Sequence, residues 1–163
     1  MNVQTTAAPP GARERSLEEV KAEFMRRAGR LNPFEDIRPK DAEQVLGSIK
    51  SLDKDHWAEE WSKLGLRYEK EADALTGGGA SRPELAELYM LAFDACRVGR
   101  YPTPSSLGKL AAYHHSLRMF CKAAKHFNPP LEIVELPFEG KKQVGYLQKP
   151  TGVAKPPDRK SVV

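Results

Sequence analysis

Four histidines, two cysteines and several paired carboxylates are the groups in this chain that could carry chemistry. His114 and His115 are adjacent, and neighbouring positions on a helix point about 100° apart, so the two imidazoles do not converge on one metal ion. His56 and His126 lie on other segments, and neither a cysteine nor a carboxylate stands at a ligand spacing from the pair. The spacing therefore predicts no metal site, with His114 facing the core or a groove and His115 facing solvent. Cys96 and Cys121 fall on apolar helical faces and read as small buried fillers. Glu59-Glu60 and Glu69-Glu71 flank basic residues at helical spacing, the pattern of a solvated face. A serine nucleophile at a strand-to-helix elbow needs G-x-S-x-G, which the sequence does not contain. Gly77-Gly78-Gly79 has no following Lys-Ser or Lys-Thr and no preceding strand, so it is a linker and not a phosphate loop. No cofactor motif remains.

The elements that would position these groups are mainly helical. Ser16, with Glu19 three residues on, forms a capping box, and Leu17, Val20, Phe24, Ala28 and Leu31 follow at spacings of three and four. Gly29 and Asn32-Pro33 end this first helix. A second is expected from an Asp41 cap to about Ser51. A third opens at Asp53 or Asp55 and reaches about Ala74, with Trp57, Trp61, Leu64, Tyr68, Ala72 and Leu75 on one stripe. Ser81 caps a fourth, with Pro83 and Glu84 in its first turn, burying Leu85, Leu88, Ala92 and Ala95 to about Gly99. Tyr101-Pro102-Thr103-Pro104 forces a bend. The fifth helix, about Ser106–His126, is expected to bury Leu107, Leu110, His114, Leu117, Cys121 and Ala124, making with the fourth an antiparallel pair similar to a single tetratricopeptide unit.

After Asn128-Pro129-Pro130 the period changes from helical to two. Val134, Leu136 and Phe138 fall on one face of a strand and Leu131 and Ile133 on the other; Glu139-Gly140-Lys141 signals a turn, and Val144–Leu147 returns. The predicted class is mostly α with a C-terminal β-hairpin, organised as a lead-in over 1–15, a helical domain over 16–128 and a hairpin region over 129–163. Two strands alone are marginal in water, and apolar side chains on both faces call for a larger sheet.

The 163 residues carry a net charge of +4 and 40% hydrophobic residues, enough for one modest core. Charge is −4 through Cys96 and +8 from Arg97 onward. The basic residues are dispersed and no groove-reading motif accompanies them, so nucleic acid is not the expected partner. The absence of a long apolar run or a signal-peptide core argues against a membrane span, and the cysteine content suits the cytoplasm.

The order Asn32-Pro33-Phe34, Leu52-Asp53-Lys54-Asp55-His56-Trp57-Ala58-Glu59-Glu60-Trp61, Gly99-Arg100-Tyr101-Pro102, Pro130 to Gly140 and Gly145-Tyr146-Leu147 resembles a group of α/β-hydrolases. These have a helical N-terminal cap and include dihydroxypseudooxynicotine hydrolase and esterases similar to fermentation-respiration switch protein. The resemblance covers about residues 16–157. It implies a helical cap followed by the first strands of a serine hydrolase core acting on esters or on carbon–carbon bonds beside a carbonyl, often as a homodimer. In that family the nucleophile, acid and histidine lie downstream, so the resemblance assigns no catalytic residue here. It implies a truncated core, an isolated chain without turnover, and a small ester or ketone as the whole enzyme's substrate. Trp57, Trp61, Tyr101 and His114 are the residues expected to line the substrate pocket. The alternative is a free-standing helical interaction module that holds a peptide or partner helix between the fourth and fifth helices.

Overall fold

A computed structural model describes residues 14–152. The expected lead-in and the terminal Lys-Ser-Val-Val fall largely outside them. Five helices come first: α1 (Leu17–Arg27), α2 (Pro39–Ser48), α3 (Lys54–Leu75), α4 (Arg82–Arg100) and α5 (Leu107–Ala124). Two strands come next, β1 (Leu131–Phe138) and β2 (Lys141–Gln148). The chain is thus mostly helical with a C-terminal antiparallel hairpin. Among the described residues no helix is long and apolar enough to cross a membrane.

The helix starts follow local chemistry. Ser16 and Ser81 each accept from the backbone N–H three residues on, while Glu19 and Glu84 return the bond, so both capping boxes form. Asp53 caps α3 through Asp55 N and His56 N at 3.0 and 2.8 Å. Asp41 does not cap α2. Pro39, pre-set for the first helical turn, starts that helix earlier, after Arg38, and leaves Asp41 buried inside it. There Asp41 accepts from Tyr68 Oη at 2.7 Å, Arg38 Nε at 2.8 Å and Arg67 Nη2 at 3.1 Å, a charge satisfied from three sides. Gly29, at φ 72°, follows the end of α1, so Leu31 lies beyond the helix and is exposed.

The core gathers Phe24, Phe34, Ile49, Trp61, Leu64, Tyr68, Ala92, Val98, Met119 and Ala123. Trp61 is fully enclosed, with its ring centroid 5.0 Å from that of Phe24. Helices α3, α4 and α5 approach closely through small residues. A Cβ placed on Gly99 would lie 3.3 Å from Ala112 Cβ, and one on Gly65 would overlap Cys96 Sγ. The Gly99–Ala112 contact also fixes the rotation of α5, and there the expected stripe is wrong except at Ala124, which is buried. The buried line is Lys109, Ala112, Ser116, Met119 and Ala123, two residues out of step with most of the expected one and so roughly 200° around the helix. Leu107 is 84% exposed and Leu110 40%. His114 is exposed and His115 half-buried, the reverse of expectation. The small line packs because it lets the backbones approach; the leucines would hold them apart.

In the hairpin, residues 131–138 pair with 148–141 in strict antiparallel register. The turn is two residues, Glu139 and Gly140, both at positive φ (48° and 73°), the geometry that matches strand twist. Leu136, Phe138 and Leu147 lie on one face and Ile133, Val144 and Tyr146 on the other; all six are exposed. Against the helices, Tyr146 meets Phe120 edge-on at 5.0 Å, and Gln148 Nε2 donates to Pro129 O at 2.8 Å. No further strand pairs with either edge among the described residues.

Candidate functional site

The residues expected to line a pocket are divided by the fold. Trp61 is core and lines no cavity; its indole Nε1 is buried without a hydrogen-bond partner. His114 stands on the exposed side of α5, with its ring 5.6 Å from that of Tyr113. Trp57 and Tyr101 come together. With Val20, Leu52, Lys54, Pro102 and Lys109 they line a pocket of about 200 Å³.

Each wall of this pocket has a local cause. Trp57 sits one turn into α3, held by its Nε1 donating to Val98 O at 3.1 Å. Tyr101 is the residue at which α4 stops, extended at ψ 145°, with its ring edge-on to Phe34 at 5.3 Å. Lys109 lies in the first turn of α5, is only 7% exposed, and donates from Nζ to Tyr101 O at 2.6 Å. Asp55, from the first turn of α3, reaches across to accept from Gly108 N at 2.8 Å. Hydrogen bonds from Ser106 and Gly108 hold the Asp55 carboxyl below its ordinary range. Burial, with the nearby Lys54 charge, pushes the Lys109 ammonium below the usual lysine value against a smaller opposing pull from Asp55. Lys109 gave no signal in the sequence beyond being a cation in a helix's first turn.

A larger cavity, about 790 Å³, lies elsewhere, between the start of α4 and the hairpin: Arg82, Pro83, Ala86, His126, Phe127, Asn128 and Gln148 line it. Arg82 Nη2 donates to Lys125 O and Phe127 O at 3.0 and 3.2 Å, clamping the turn after α5 onto the start of α4. His126 stacks on Tyr89 at 5.8 Å. From Tyr89 a polar chain runs along the seam between α3 and α5: Tyr89 Oη donates to Asp73 at 2.6 Å, Lys122 Nζ reaches both Asp73 and Glu69, and His115 Nε2 lies 2.9 Å from Glu69 Oε2. Burial and the Asp73 carboxylate push the Tyr89 hydroxyl up, and Lys122 with Tyr89 holds Asp73 down. Glu69 is thus not on a solvated face as the sequence suggested. It and Asp73, one turn apart, border the buried Tyr68–Ala72 stripe and tie α3 to α5. Since α5 has 18 residues, it spans about 27 Å, and the two cavities sit at opposite ends of it.

Two other clusters have structural accounts. His56, Glu59 and Glu60 bring their ligand atoms within 4.8 Å of one another. Lys63 already bridges both carboxylates at 2.9 and 2.6 Å, and His56 Nε2 accepts from Lys50 N at 3.0 Å, so a cation would have to displace a lysine. Cys96 is buried beside Gly65, and burial raises its thiol to about 12, which removes thiolate chemistry.

Asp94, 5% exposed, accepts from Arg97 Nε at 3.0 Å, yet burial dominates and lifts its carboxyl from 3.8 to about 6. Between those values the folded state holds a proton that the unfolded chain has lost, so this group's contribution to stability falls as pH rises through the window and stays low above it. Asp94→Asn removes the charge that burial penalises. The variant is expected to match the parent at pH 4 and to exceed it by about 2 kcal/mol at pH 8. Urea titrations of both proteins at the two pH values check this; an equal gain at pH 4 contradicts the assignment.

No protein-family model matches the chain, and none of the curated proteins matches it.

Proposed function

We propose that the chain works as the helical cap and first two strands of a serine α/β-hydrolase, with the bundle walling the substrate pocket of an enzyme that cleaves esters or carbon–carbon bonds beside a carbonyl. The observation that carries this reading is the hairpin. It exposes Ile133, Leu136, Phe138 and Val144 at 55–58% each, on both faces, and has an unpaired edge on either side among the described residues. Apolar faces of this kind are stable when strands and helices of a larger sheet cover them. The element order, five helices and then this hairpin, is the order that the resemblance implies.

In this reading the groove of Arg82, His126, Phe127 and Gln148 is the wall nearest the catalytic core, because it adjoins the hairpin. The Trp57–Tyr101 pocket lies at the far end of α5 and is not that wall. The isolated chain is expected to show no turnover of nitrophenyl esters and no labelling by a serine-directed fluorophosphonate. Mixed with the polypeptide encoded next to it, if that carries G-x-S-x-G, it is expected to yield both. Phe138→Asp leaves the bundle's own stability unchanged within about 0.5 kcal/mol and abolishes that reconstitution. Fluorophosphonate-sensitive turnover by the isolated chain overturns the reading.

A second reading, a helical interaction module, draws on α5. Its exposed line of Leu107, Leu110 and His114 could receive a partner helix. Hydrogen exchange separates the two: strands fully protected in the monomer favour the module, and strands that exchange freely until the core is supplied favour the hydrolase.

A further inference from the structure

The pocket of Trp57, Tyr101 and Lys109 is separate from the groove beside the hairpin, and its chemistry is independent of the hydrolase reading. Lysine is almost never fully buried without a carboxylate partner. Lys109 is 7% exposed, and its Nζ donates to a backbone carbonyl, Tyr101 O. Its position is unfavourable in a second way. Lys54 is the first residue of α3 and Lys109 the third of α5, so both cations stand in first turns, where the positive end of the helix dipole favours anions. Two such violations converge on one small pocket, and local rules are most often broken where a site needs the residue. The remaining walls, Val20, Leu52, Trp57, Tyr101 and Pro102, are apolar or aromatic.

We infer that Lys109 is an imine-forming amine, and that its pocket takes a small 2-oxo acid whose carbonyl carbon meets Lys109 Nζ while its carboxylate pairs with Lys54. The amine must be neutral to attack, and desolvation together with Lys54 favours that form. The groups acting on it are Lys54 and Asp55 from α3 and the Tyr101 carbonyl after α4; Asp55 is engaged by Gly108 N. In the step itself, the amine lone pair forms a C–N bond to the carbonyl carbon. The carbonyl oxygen then leaves as water with the two protons of the amine, and C=N replaces C=O. No electrons are exchanged with an outside reagent. A pocket of about 200 Å³ is large enough for a molecule of pyruvate's size. The Lys54 charge selects an acid over a neutral aldehyde.

The test uses the full chain with pyruvate and sodium cyanoborohydride, which reduces an imine to a stable secondary amine, followed by peptide mapping. At pH 7.5 Lys109 is expected to be modified several-fold faster than exposed lysines such as Lys141 and Lys142, because burial beside Lys54 favours its neutral form. Lys109→Arg loses that fast adduct. Lys54→Gln is expected to lower the rate with pyruvate relative to acetaldehyde about fivefold, as the loss of one partly exposed ion pair would. Labelling of Lys109 no faster than of Lys141 and Lys142 overturns the imine assignment, and needs no variant to be seen. An unchanged pyruvate-to-acetaldehyde ratio in Lys54→Gln overturns the choice of a 2-oxo acid.

Discussion

Trp61→Ala is expected to lower the unfolding free energy by about 3–5 kcal/mol, enough to consume much of the stability of a domain this size. The side chain is fully buried, and its ring meets Phe24 at 5.0 Å and Trp57 at 6.1 Å, so its loss opens a void that three helices would have to collapse into. The matching variant is Trp61→Phe. It also leaves a gap, but it removes the indole N–H that is buried without a partner, whose desolvation costs about 1–3 kcal/mol. The two effects oppose, and the net change is expected within about 1 kcal/mol. Urea titrations followed by far-ultraviolet circular dichroism measure both. A Phe variant as unstable as the Ala variant would mean that the indole N–H is satisfied and the ring's shape alone matters.

Gly65→Ala is the second large effect, and its sign runs against helix propensity. In an exposed helix the change would gain about 1 kcal/mol. Here the new Cβ overlaps Cys96 Sγ and stands 3.1 Å from Ala92 O, so α3 and α4 must separate around it. A net loss of about 2 kcal/mol is expected. Cys96→Gly removes the obstructing sulfur, so the double variant is expected to be more stable than the sum of the two single losses by about 1–2 kcal/mol. Additive losses would show that the Ala92 carbonyl, and not the sulfur, sets the approach. Neither variant touches the Trp57–Tyr101–Lys109 pocket, which makes the imine test independent of both.

These two positions also mark where the sequence stops being informative. Trp61 could be placed from spacing alone, since Trp57, Trp61, Leu64, Tyr68 and Ala72 share one stripe, although Leu75, expected on it too, is exposed. Gly65 could not: nothing local distinguishes a glycine that admits a neighbouring helix from one that only weakens its own. The candidate site was half legible. Of Trp57, Trp61, Tyr101 and His114, expected to line one pocket, the fold brings Trp57 and Tyr101 together. Lys109 carries no signal in the sequence, because the pocket it shares with Trp57 and Tyr101 is built from residues 52 and 8 positions away. Glu69 differs from expectation for the same cause, since its partner Lys122 lies far along the chain, whereas Asp41 fails as a cap for a local one, the earlier helix start at Pro39.

The amino-acid order by itself determined where each element begins and turns. Ser16 with Glu19, Ser81 with Glu84, Asp53 and Ser106 as caps, and Glu139-Gly140 as the hairpin turn act within four residues of themselves, through hydrogen bonds and allowed dihedrals that need no partner. The rotation of α5 was decided only in three dimensions. That helix offers two sides for burial, a leucine line and a line with small residues at Ala112, Ser116 and Ala123, and area alone does not choose between them. Close approach broke the tie: Gly99 admits Ala112, so the small line turned inward and Leu107 and Leu110 stayed outside.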